Sequence, residues 1–345
     1  MNFLIDKLVN ESILQKEEWI FLLSNRNEEV REYAFEKARQ VSFKHFGNKV
    51  FARGLIEFTN YCKNNCYYCG IRAGNKKATR YRLTKEEILE CCKIGNDLGF
   101  KTFVLQGGED SFFTDDKLVD IIISIKERYP DNALTLSLGE RSYDSYVRLK
   151  NAGVDRYLLR HETANSIHYS KLHPKNLSNV PRKQCLIDLK DIGFQTGTGF
   201  MVGSPHQTIE NLAEDMMFIA DFQPQMLGIG PFIPHKDTPF ADFSAGKVEL
   251  TLFLLALSRL LLPKVLLPAT TALGTLDPQG REKAVLAGAN VVMPNLSPLY
   301  VREQYMLYNN KIATGLEAAE GVQKLAESMA DIGYELVHER GDFSK

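Results

Sequence analysis

Cys62-Lys-Asn-Asn-Cys66-Tyr-Tyr-Cys69 is the stretch that decides the fold, because it places three cysteines on one loop directly after the strand-like run Gly54–Asn60. Cysteine thiolates are soft ligands that suit zinc, copper(I) or an iron-sulfur cluster, and closely spaced cysteines are a common way to hold a cluster. The loop lacks a fourth ligand, since no histidine or further cysteine occurs in the twenty residues after Cys69.

Zinc and a disulfide are the two other uses of these cysteines. A structural zinc site is almost always closed by a fourth protein ligand. A disulfide would leave one of the three thiols unpaired, and nothing in the chain indicates an oxidising compartment. The pattern therefore favours a four-iron cluster on Cys62, Cys66 and Cys69, in which one iron stays open to a small molecule with an amine and a carboxylate.

Composition excludes some classes of partner. Lys plus Arg total 42 and Asp plus Glu total 43 in 345 residues, so the net charge of -1 argues against a nucleic-acid-binding protein. The N-terminus has no apolar run of signal-peptide length. The most apolar region, Leu250–Pro268, contains Arg259 and Lys264, which a membrane span would not place there. We expect a cytoplasmic protein whose partners are small molecules or other proteins.

From Arg53 onward a unit recurs: a short apolar strand, a polar loop and a helix with charged faces. The predicted strands are 53–59, 102–106, 133–137, 156–160, 195–201, 226–230, 265–269 and 290–293. Eight such units predict an α/β fold with a single (β/α)8 TIM barrel over residues 47–300. Residues 1–46 are predicted to form a helical cap, and 301–345 a loop and a helix that close the barrel. An open doubly wound sheet is the alternative.

Barrel enzymes place their chemistry at the C-terminal ends of the strands. The second end, Gln106–Glu109, has paired glycines that let a ligand approach the backbone, followed by a carboxylate. Thr135 and Ser137 point the same way at the third end. At the fourth end, Arg160–Glu162 places a cation, an imidazole and a carboxylate side by side, which indicates a ribose and substrate site. Arg182 could bind a carboxylate with its fork of donors.

The remaining strand ends carry hydroxyl, amide and thioether groups and no lysine, which favours an anion or a metal-carbonyl-like ligand over acid-base catalysis. Tyr305 and Tyr308 follow the barrel and could close its mouth, or equally be core aromatics. The candidates for this substrate region are Met201, Ile229, Thr270, Thr271, Met293, Asn295 and Tyr305. Cys91, Cys92 and Cys185 fall in helical periodicity and are predicted to be small buried apolar residues.

Several blocks, in order, resemble the radical S-adenosylmethionine (SAM) maturases of FeFe-hydrogenase called the HydE family. They include Glu57-Phe-Thr-Asn, Tyr68-Cys-Gly-Ile, Val104-Leu-Gln-Gly-Gly-Glu-Asp, Tyr157-Leu-Leu-Arg-His-Glu-Thr-Ala-Asn, Gly228-Ile-Gly-Pro-Phe-Ile-Pro-His and Pro268-Ala-Thr-Thr-Ala. The resemblance covers nearly the whole chain. It implies a full barrel, a cluster at its top and SAM on the open iron.

The resemblance also implies roles for individual residues. The SAM contacts would be Tyr68, Gln106, Gly107, Gly108, Glu109, Thr135, Ser137, Arg160, Glu162 and Arg182, with the anion-binding substrate region deeper in the barrel. SAM would be cleaved to a 5'-deoxyadenosyl radical that attacks the sulfur of a cysteine-bound iron carbonyl cyanide precursor. Transient contacts with other hydrogenase maturases and with an electron donor are expected.

One departure from the family concerns the C-terminal segment. Some members carry three further cysteines there that bind a second cluster, whereas no cysteine follows Cys185 in this chain. We therefore predict one four-iron four-sulfur cluster. A methylornithine-synthase-like mutase and a non-catalytic iron-sulfur carrier are the alternatives. Biotin synthase fits less well, because it needs extra cysteine ligands at the strand ends.

Overall fold

Strands and helices alternate along residues 1–312 and 319–344, the part of the chain that the computed structural model describes. The strands are β1 (Lys49–Ala52), β2 (Gly54–Thr59), β3 (Thr102–Gly107), β4 (Ala133–Ser137), β5 (Arg156–Leu158), β6 (Gln195–Thr198), β7 (Met201–Val202), β8 (Met226–Leu227), β9 (Gly230–Pro231), β10 (Val291–Val292) and β11 (Glu335–Val337). The helices are α1 (Asn2–Glu11), α2 (Lys16–Ser24), α3 (Glu28–Phe46), α4 (Lys85–Asp97), α5 (Asp115–Arg128), α6 (Tyr143–Asn151), α7 (Ser166–Leu172), α8 (Asn179–Asp191), α9 (Ile209–Phe222), α10 (Val248–Leu261), α11 (Thr271–Leu276), α12 (Gly280–Leu286), α13 (Leu299–Arg302) and α14 (Val322–Asp331). 

The strands close into a barrel. β2, β3, β4, β5, β6 and β8 form a parallel sheet in that order. Two isolated parallel bridges, Met226–Leu266 and Pro268–Val291, carry the ring onward to β10. β10 pairs in parallel with β1, which leads directly into β2 and completes the circle. The predicted (β/α)8 barrel is confirmed.

The later strands are shorter than predicted. The seventh, expected over 265–269, forms only single bridges, because Pro268 has no N–H to donate to a ladder. The fifth predicted strand is divided at Gly199 into β6 and β7, and the sixth is divided at Gly228 into β8 and β9. Their backbones lie so close that a Cβ on Gly199 would sit 2.0 Å from the carbonyl oxygen of Gly228. Beyond this contact β7 and β9 pair as a separate two-stranded ladder.

The barrel interior differs between its two ends. At the N-terminal ends of the strands Phe51, Met226, Leu266 and Val291 form a buried apolar cluster, beside which the arginines Arg53 and Arg156 are buried. The C-terminal tail lies across these ends: β11 pairs with β1, and Arg156 donates to the carbonyl of Arg340 at 2.7 Å. The C-terminal ends carry the polar side chains, so ligands are expected there.

The outer helices form as the sequence predicts. Thr84 begins α4 with a capping box, and the Thr208 hydroxyl caps α9. α10 is buried along nearly its whole length. Of the N-terminal helices, α2 packs against α9, whereas α1 and α3 pack against α10. The final helix predicted within 301–345 is expected to begin near residue 314, which lies outside the described residues. Every described helix is too short or too polar to span a lipid bilayer.

Candidate active site

The cysteine loop follows β2 and is held by three neighbouring segments. The backbone N–H of Lys63 donates to the carbonyl of Glu109 at 2.9 Å, and that of Tyr67 to Leu172 at 3.0 Å. The N–H of Gly70 donates to Leu307 at 2.8 Å. The loop is therefore fixed by the second strand end, by α7 and by the segment that follows α13.

The three thiols lie close enough to influence one another. Each cysteine residue is partly exposed, yet burial of the sulfur raises the pKa of Cys66 to about 12, and the nearby Cys62 adds to this shift. Burial, then Cys66 and Cys62, likewise raise the pKa of Cys69. Within the described part of the chain, no three His, Cys, Asp or Glu side chains converge on a point suited to a single metal ion. Thiols that each bind a different iron of one cluster need not converge in that way.

Two glycines let the end of β3, which is the second predicted strand, pack closely against its neighbours. A Cβ on Gly108 would lie 2.2 Å from the carbonyl oxygen of Tyr61 and 2.8 Å from Cβ of Cys62, so only glycine lets this turn touch the cysteine loop. Gly139, at the third strand end, has φ +75°, and a Cβ there would lie 2.0 Å from Cγ of Glu109. The carboxylate of Glu109 is thus placed by the absence of a side chain at Gly139.

Arg182 connects three strand ends. Its Nη2 lies 3.3 Å from Oε1 of Glu109, its Nε lies 2.9 Å from Oε1 of Glu140, and its Nη1 donates to the carbonyl of Arg160 at 3.0 Å. Burial alone would lower the pKa of Arg182, but Tyr169, Glu140 and Glu109 outweigh it and raise that pKa well above its ordinary value. Glu140 was missed as a site residue, although its position directly after Gly139 at a strand end was a usable signal.

Several buried polar atoms at the strand ends have no hydrogen-bond partner within residues 1–312 and 319–344. They are Oγ1 of Thr135, Oγ1 of Thr270, Nε and Nη2 of Arg160, Oε2 of Glu162 and Nε of Arg182. Arg160 and Glu162 form an ion pair at 3.3 Å, but without hydrogen-bond geometry. Buried polar groups are normally paired, so these atoms mark a place where a ligand supplies the partners. Three soft thiolates beside such a set fit a cluster and a polar cofactor.

The side chains that follow β5, the fourth predicted strand, are arranged differently from the prediction. Glu162 has φ +65°, a strained conformation for a residue with a side chain, and is held by a hydrogen bond from its N–H to the carbonyl of Gly199. His161 points away from Arg160 and Glu162. Its Nδ1 lies 2.9 Å from Oγ1 of Thr198 and its Nε2 3.3 Å from Oδ1 of Asp215, both outside the barrel. Burial lowers the pKa of His161 to about 3. The expectation that the three side chains lie side by side is therefore wrong for the imidazole.

Tyr68, between the second and third cysteines, is held at both ends of its ring. Its hydroxyl lies 3.2 Å from Nε2 of His173. The ring packs against a small apolar cluster that contains Met201, Leu172 and Phe232. Tyr68 and Met201, predicted for the SAM and substrate regions, are therefore brought together. His173 was not singled out in the sequence.

The remaining substrate candidates separate into two groups. Asn295 faces the interior, where its Nδ2 donates to Oε2 of Glu57 at 2.9 Å, and Tyr305 is buried near Gln106. Met293 packs at the edge of the inner apolar cluster, and Thr271 begins α11. Ser137, which was predicted to contact SAM, is half-buried at the end of β4. Ile229, in contrast, packs in the main core between the barrel and its helices. Side chains alternate along a strand, so Ile229 points outward and is wrong as a substrate contact.

The strand ends carry no lysine, but a lysine from another segment enters the barrel interior. Nζ of Lys311 lies 2.5 Å from Oε1 of Glu57 and 3.1 Å from the carbonyl of Tyr305. This lysine comes from the segment after the barrel, which the pattern of strand ends could not reveal.

Comparisons with known proteins agree with this arrangement. The profile of the Radical SAM superfamily matches residues 56–219. The [FeFe] hydrogenase maturase subunit HydE of Thermotoga maritima is 47% identical over 290 residues, which cover 84% of this chain and 82% of that protein. The 3-methylornithine synthase of Methanosarcina barkeri is 30% identical over 295 residues, covering 85% and 83% of the two chains. The crystal structure of methylornithine synthase (PylB) superposes with a TM-score of 0.82 at 26% identity over 97% of each chain.

Membership of the radical SAM superfamily implies a [4Fe-4S] cluster and SAM, and the three thiols with the unpaired polar atoms beside them fit both groups. The identity to the hydrogenase maturase is well above that to the methylornithine synthase over a similar share of the chain. The chain is a radical SAM enzyme and belongs to the HydE family of hydrogenase maturases.

Proposed function

We propose that Cys62, Cys66 and Cys69 bind a single cluster and that the iron without a protein ligand binds SAM. When bound, the cluster and SAM together supply a 5'-deoxyadenosyl radical. Support comes from a loop with three thiols and no nearby fourth ligand, in a chain without cysteine after Cys185. The protein's part is to hold SAM in one orientation and to exclude water, as the buried strand ends would do.

The SAM-binding residues are proposed from their positions around the loop. Gln106, Gly107, Gly108 and Glu109 form the turn that packs on the cysteine loop, where Glu109 offers a carboxylate to the ammonium group of SAM. Thr135, Ser137, Arg160 and Glu162 offer further polar groups at the adjacent strand ends. Nη2 and Nη1 of Arg182 already donate to Glu109 and to the carbonyl of Arg160, so its proposed role is to orient Glu109. Its Nε lies 2.9 Å from Oε1 of Glu140 but has no hydrogen-bond partner in the described residues, so it remains available to SAM.

For the substrate we propose a cysteine-bound iron dicarbonyl cyanide complex, whose sulfur is attacked by the radical to give a precursor of the hydrogenase diiron centre. Support comes from the identity to a hydrogenase maturase and from the polar groups near the strand ends. The hydroxyl of Thr270 and two donors of Arg160 have no hydrogen-bond partner in the described residues, and Asn295 donates to Glu57. Thr271, Met293 and Tyr305 complete this proposed region. Other hydrogenase maturases and an electron donor are the proposed partners.

The cluster and SAM assignment is tested by anaerobic reconstitution followed by incubation with SAM and dithionite. We expect about four iron atoms per chain and formation of 5'-deoxyadenosine. Twice that iron content would contradict the single cluster. A fully loaded protein that forms no 5'-deoxyadenosine would contradict the SAM chemistry, and would leave the carrier alternative.

A methylornithine-synthase-like reaction is the second candidate, favoured by the superposition over 97% of each chain. The two candidates differ in substrate, since a mutase of this kind would bind the ammonium and carboxylate of lysine. Incubation of the loaded enzyme with lysine and SAM distinguishes them. Conversion of lysine to methylornithine would replace the hydrogenase assignment and keep the radical chemistry.

A further inference from the structure

His173 connects the cysteine loop to α7. It follows the last residue of α7, is 1% exposed, and has extended backbone angles that turn its side chain toward Tyr68. Two adjacent hydrogen bonds join the two segments. The N–H of Tyr67 donates to the carbonyl of Leu172, and the Tyr68 hydroxyl bonds Nε2 of His173. The ring centroids of Tyr68 and His173 are 5.4 Å apart, and the rings are nearly perpendicular.

The hydrogen bonds of His173 decide which nitrogen carries the proton. Nδ1 lies 2.9 Å from the carbonyl oxygen of Tyr169, and a carbonyl can only accept, so Nδ1 is the protonated nitrogen. Burial lowers the pKa of His173 to about 4, so the ring is neutral at pH 7. Nε2 then presents a lone pair, and the Tyr68 hydroxyl must donate to it. The Tyr68 hydroxyl is therefore the donor and Nε2 of His173 the acceptor, and the hydrogen bond has only this direction.

The plane of the His173 ring is also fixed. The ring stacks on Tyr169, with centroids 3.8 Å apart and an angle of 19° between the planes. Tyr169 also lies near Arg182, since each group influences the pKa of the other, and Arg182 binds Glu109. The stacked pair of His173 and Tyr169 therefore lies between Tyr68 on the cysteine loop and the arginine that holds Glu109.

We propose that His173 is a positioning residue that holds the ring of Tyr68 as a wall of the SAM site, with Tyr169 fixing the imidazole. The inference rests on the proposed SAM site. His173 acts on the proposed site through its hydrogen bond to Tyr68, one of the proposed SAM contacts, and so through the orientation of one phenol ring. Loss of the imidazole leaves the Tyr68 ring free to rotate out of position, which weakens SAM binding without removing the cluster ligands.

The test compares variants of the reconstituted holoenzyme. SAM affinity is measured by titration of the change in the reduced-cluster electron paramagnetic resonance signal, and iron content is measured on the same samples. We expect His173→Ala and Tyr68→Phe each to weaken SAM binding about tenfold with unchanged iron content. The double variant should be no weaker than the weaker single variant, because both changes break the same hydrogen bond. His173→Gln keeps a donor and an acceptor and should recover most of the affinity.

His168→Ala is the matched control. His168 is buried on α7 as well, but its ring bonds Thr163 and the carbonyl of Pro205, away from the cysteine loop. This variant should bind SAM like the wild type. The inference is overturned if His173→Ala binds within about twofold of the wild type, or if the two single losses multiply in the double variant. If His173→Ala does not load the cluster, the test rests on Tyr68→Phe and His173→Gln. The inference is then overturned if Tyr68→Phe binds SAM with the affinity of the wild type.

Failure of the proposed function gives a different result. A loaded wild-type enzyme that neither binds nor cleaves SAM would remove the SAM site, and the role of His173 with it. A wild type that cleaves SAM beside variants of equal affinity would remove only the role of His173.

Discussion

Lys311 and Glu57 form a buried ion pair, with Nζ of the lysine 2.5 Å from Oε1 of the glutamate and side-chain exposures of 6% and 1%. Glu57 belongs to β2, directly before the cysteine loop, whereas Lys311 lies in the segment after α13. The same segment accepts a hydrogen bond from Gly70 of the loop through the carbonyl of Leu307. The ion pair therefore holds the segment after α13 against β2, close to the three cysteines.

Lys311→Met should destabilise the protein by about 3–5 kcal/mol, because it leaves the Glu57 carboxylate buried without its cation. The free energy of unfolding of the apoprotein in urea is the measurement. Lys93→Met is the control, since Lys93 and Asp97 form an exposed pair on α4 and its loss should leave stability almost unchanged. If both substitutions lowered the free energy of unfolding by the same small amount, the buried carboxylate of Glu57 would not need Lys311 as its partner.

Gly139→Ala should weaken SAM binding about tenfold while the cluster still loads, because the new Cβ would displace the carboxylate of Glu109. Gly193→Ala is a close control: φ is +90° there as against +75° at Gly139, but a Cβ at Gly193 meets nothing within 4 Å. Both variants strain the backbone, and only the first moves Glu109. Equal SAM affinities in the two variants would contradict the proposed role of Glu109.

The stability of the apoprotein should depend on pH through His173. Its pKa is about 4 in the fold and 6.5 as its ordinary value, so between these values the unfolded chain binds more protons. The contribution of the neutral ring is complete above pH 6.5 and is lost as the pH falls toward 4. We expect the drop in unfolding free energy from pH 7 to 5 to be about 2 kcal/mol smaller in His173→Gln. An identical drop in both proteins would show that His173 does not titrate in this way.

Cys66→Ser should abolish cluster loading, whereas Cys185→Ser should load like the wild type. Cys185 is 8% exposed on α8 and packs in the main core, so it has no part in the proposed site. Iron and sulfide content after anaerobic reconstitution is the measurement. Loss of iron in both variants, with both proteins folded, would mean that the ligands are wrongly assigned.

Much of the barrel could be predicted from local pattern, and the cysteine loop from spacing alone. Apolar runs fix strands such as β3 and β4, and alternation correctly places Thr135 at the inner face. Alternation also places Ile229 outside the barrel, since Met226 lies in the inner cluster and Ile229 follows it by three residues. Position near a strand end does not by itself distinguish an inward from an outward side chain.

Contacts between distant segments could not be predicted. Lys311 and Glu57 are separated by 254 residues, so no local pattern joins them. Glu162 adopts φ +65°, a backbone state that its residue type does not announce. The role of Gly139 depends on what packs against it, which is likewise a property of the fold rather than of the segment.

The central claim, that this chain acts in hydrogenase maturation through its cluster, is tested most directly by hydrogen evolution. The measurement uses cells that express an [FeFe] hydrogenase and the remaining maturation proteins, with this chain as the only variable. The wild-type chain should restore hydrogen evolution, and Cys66→Ser, present at the same level, should not. Hydrogen evolution that is equal with the wild type, with Cys66→Ser and without the chain would contradict the claim.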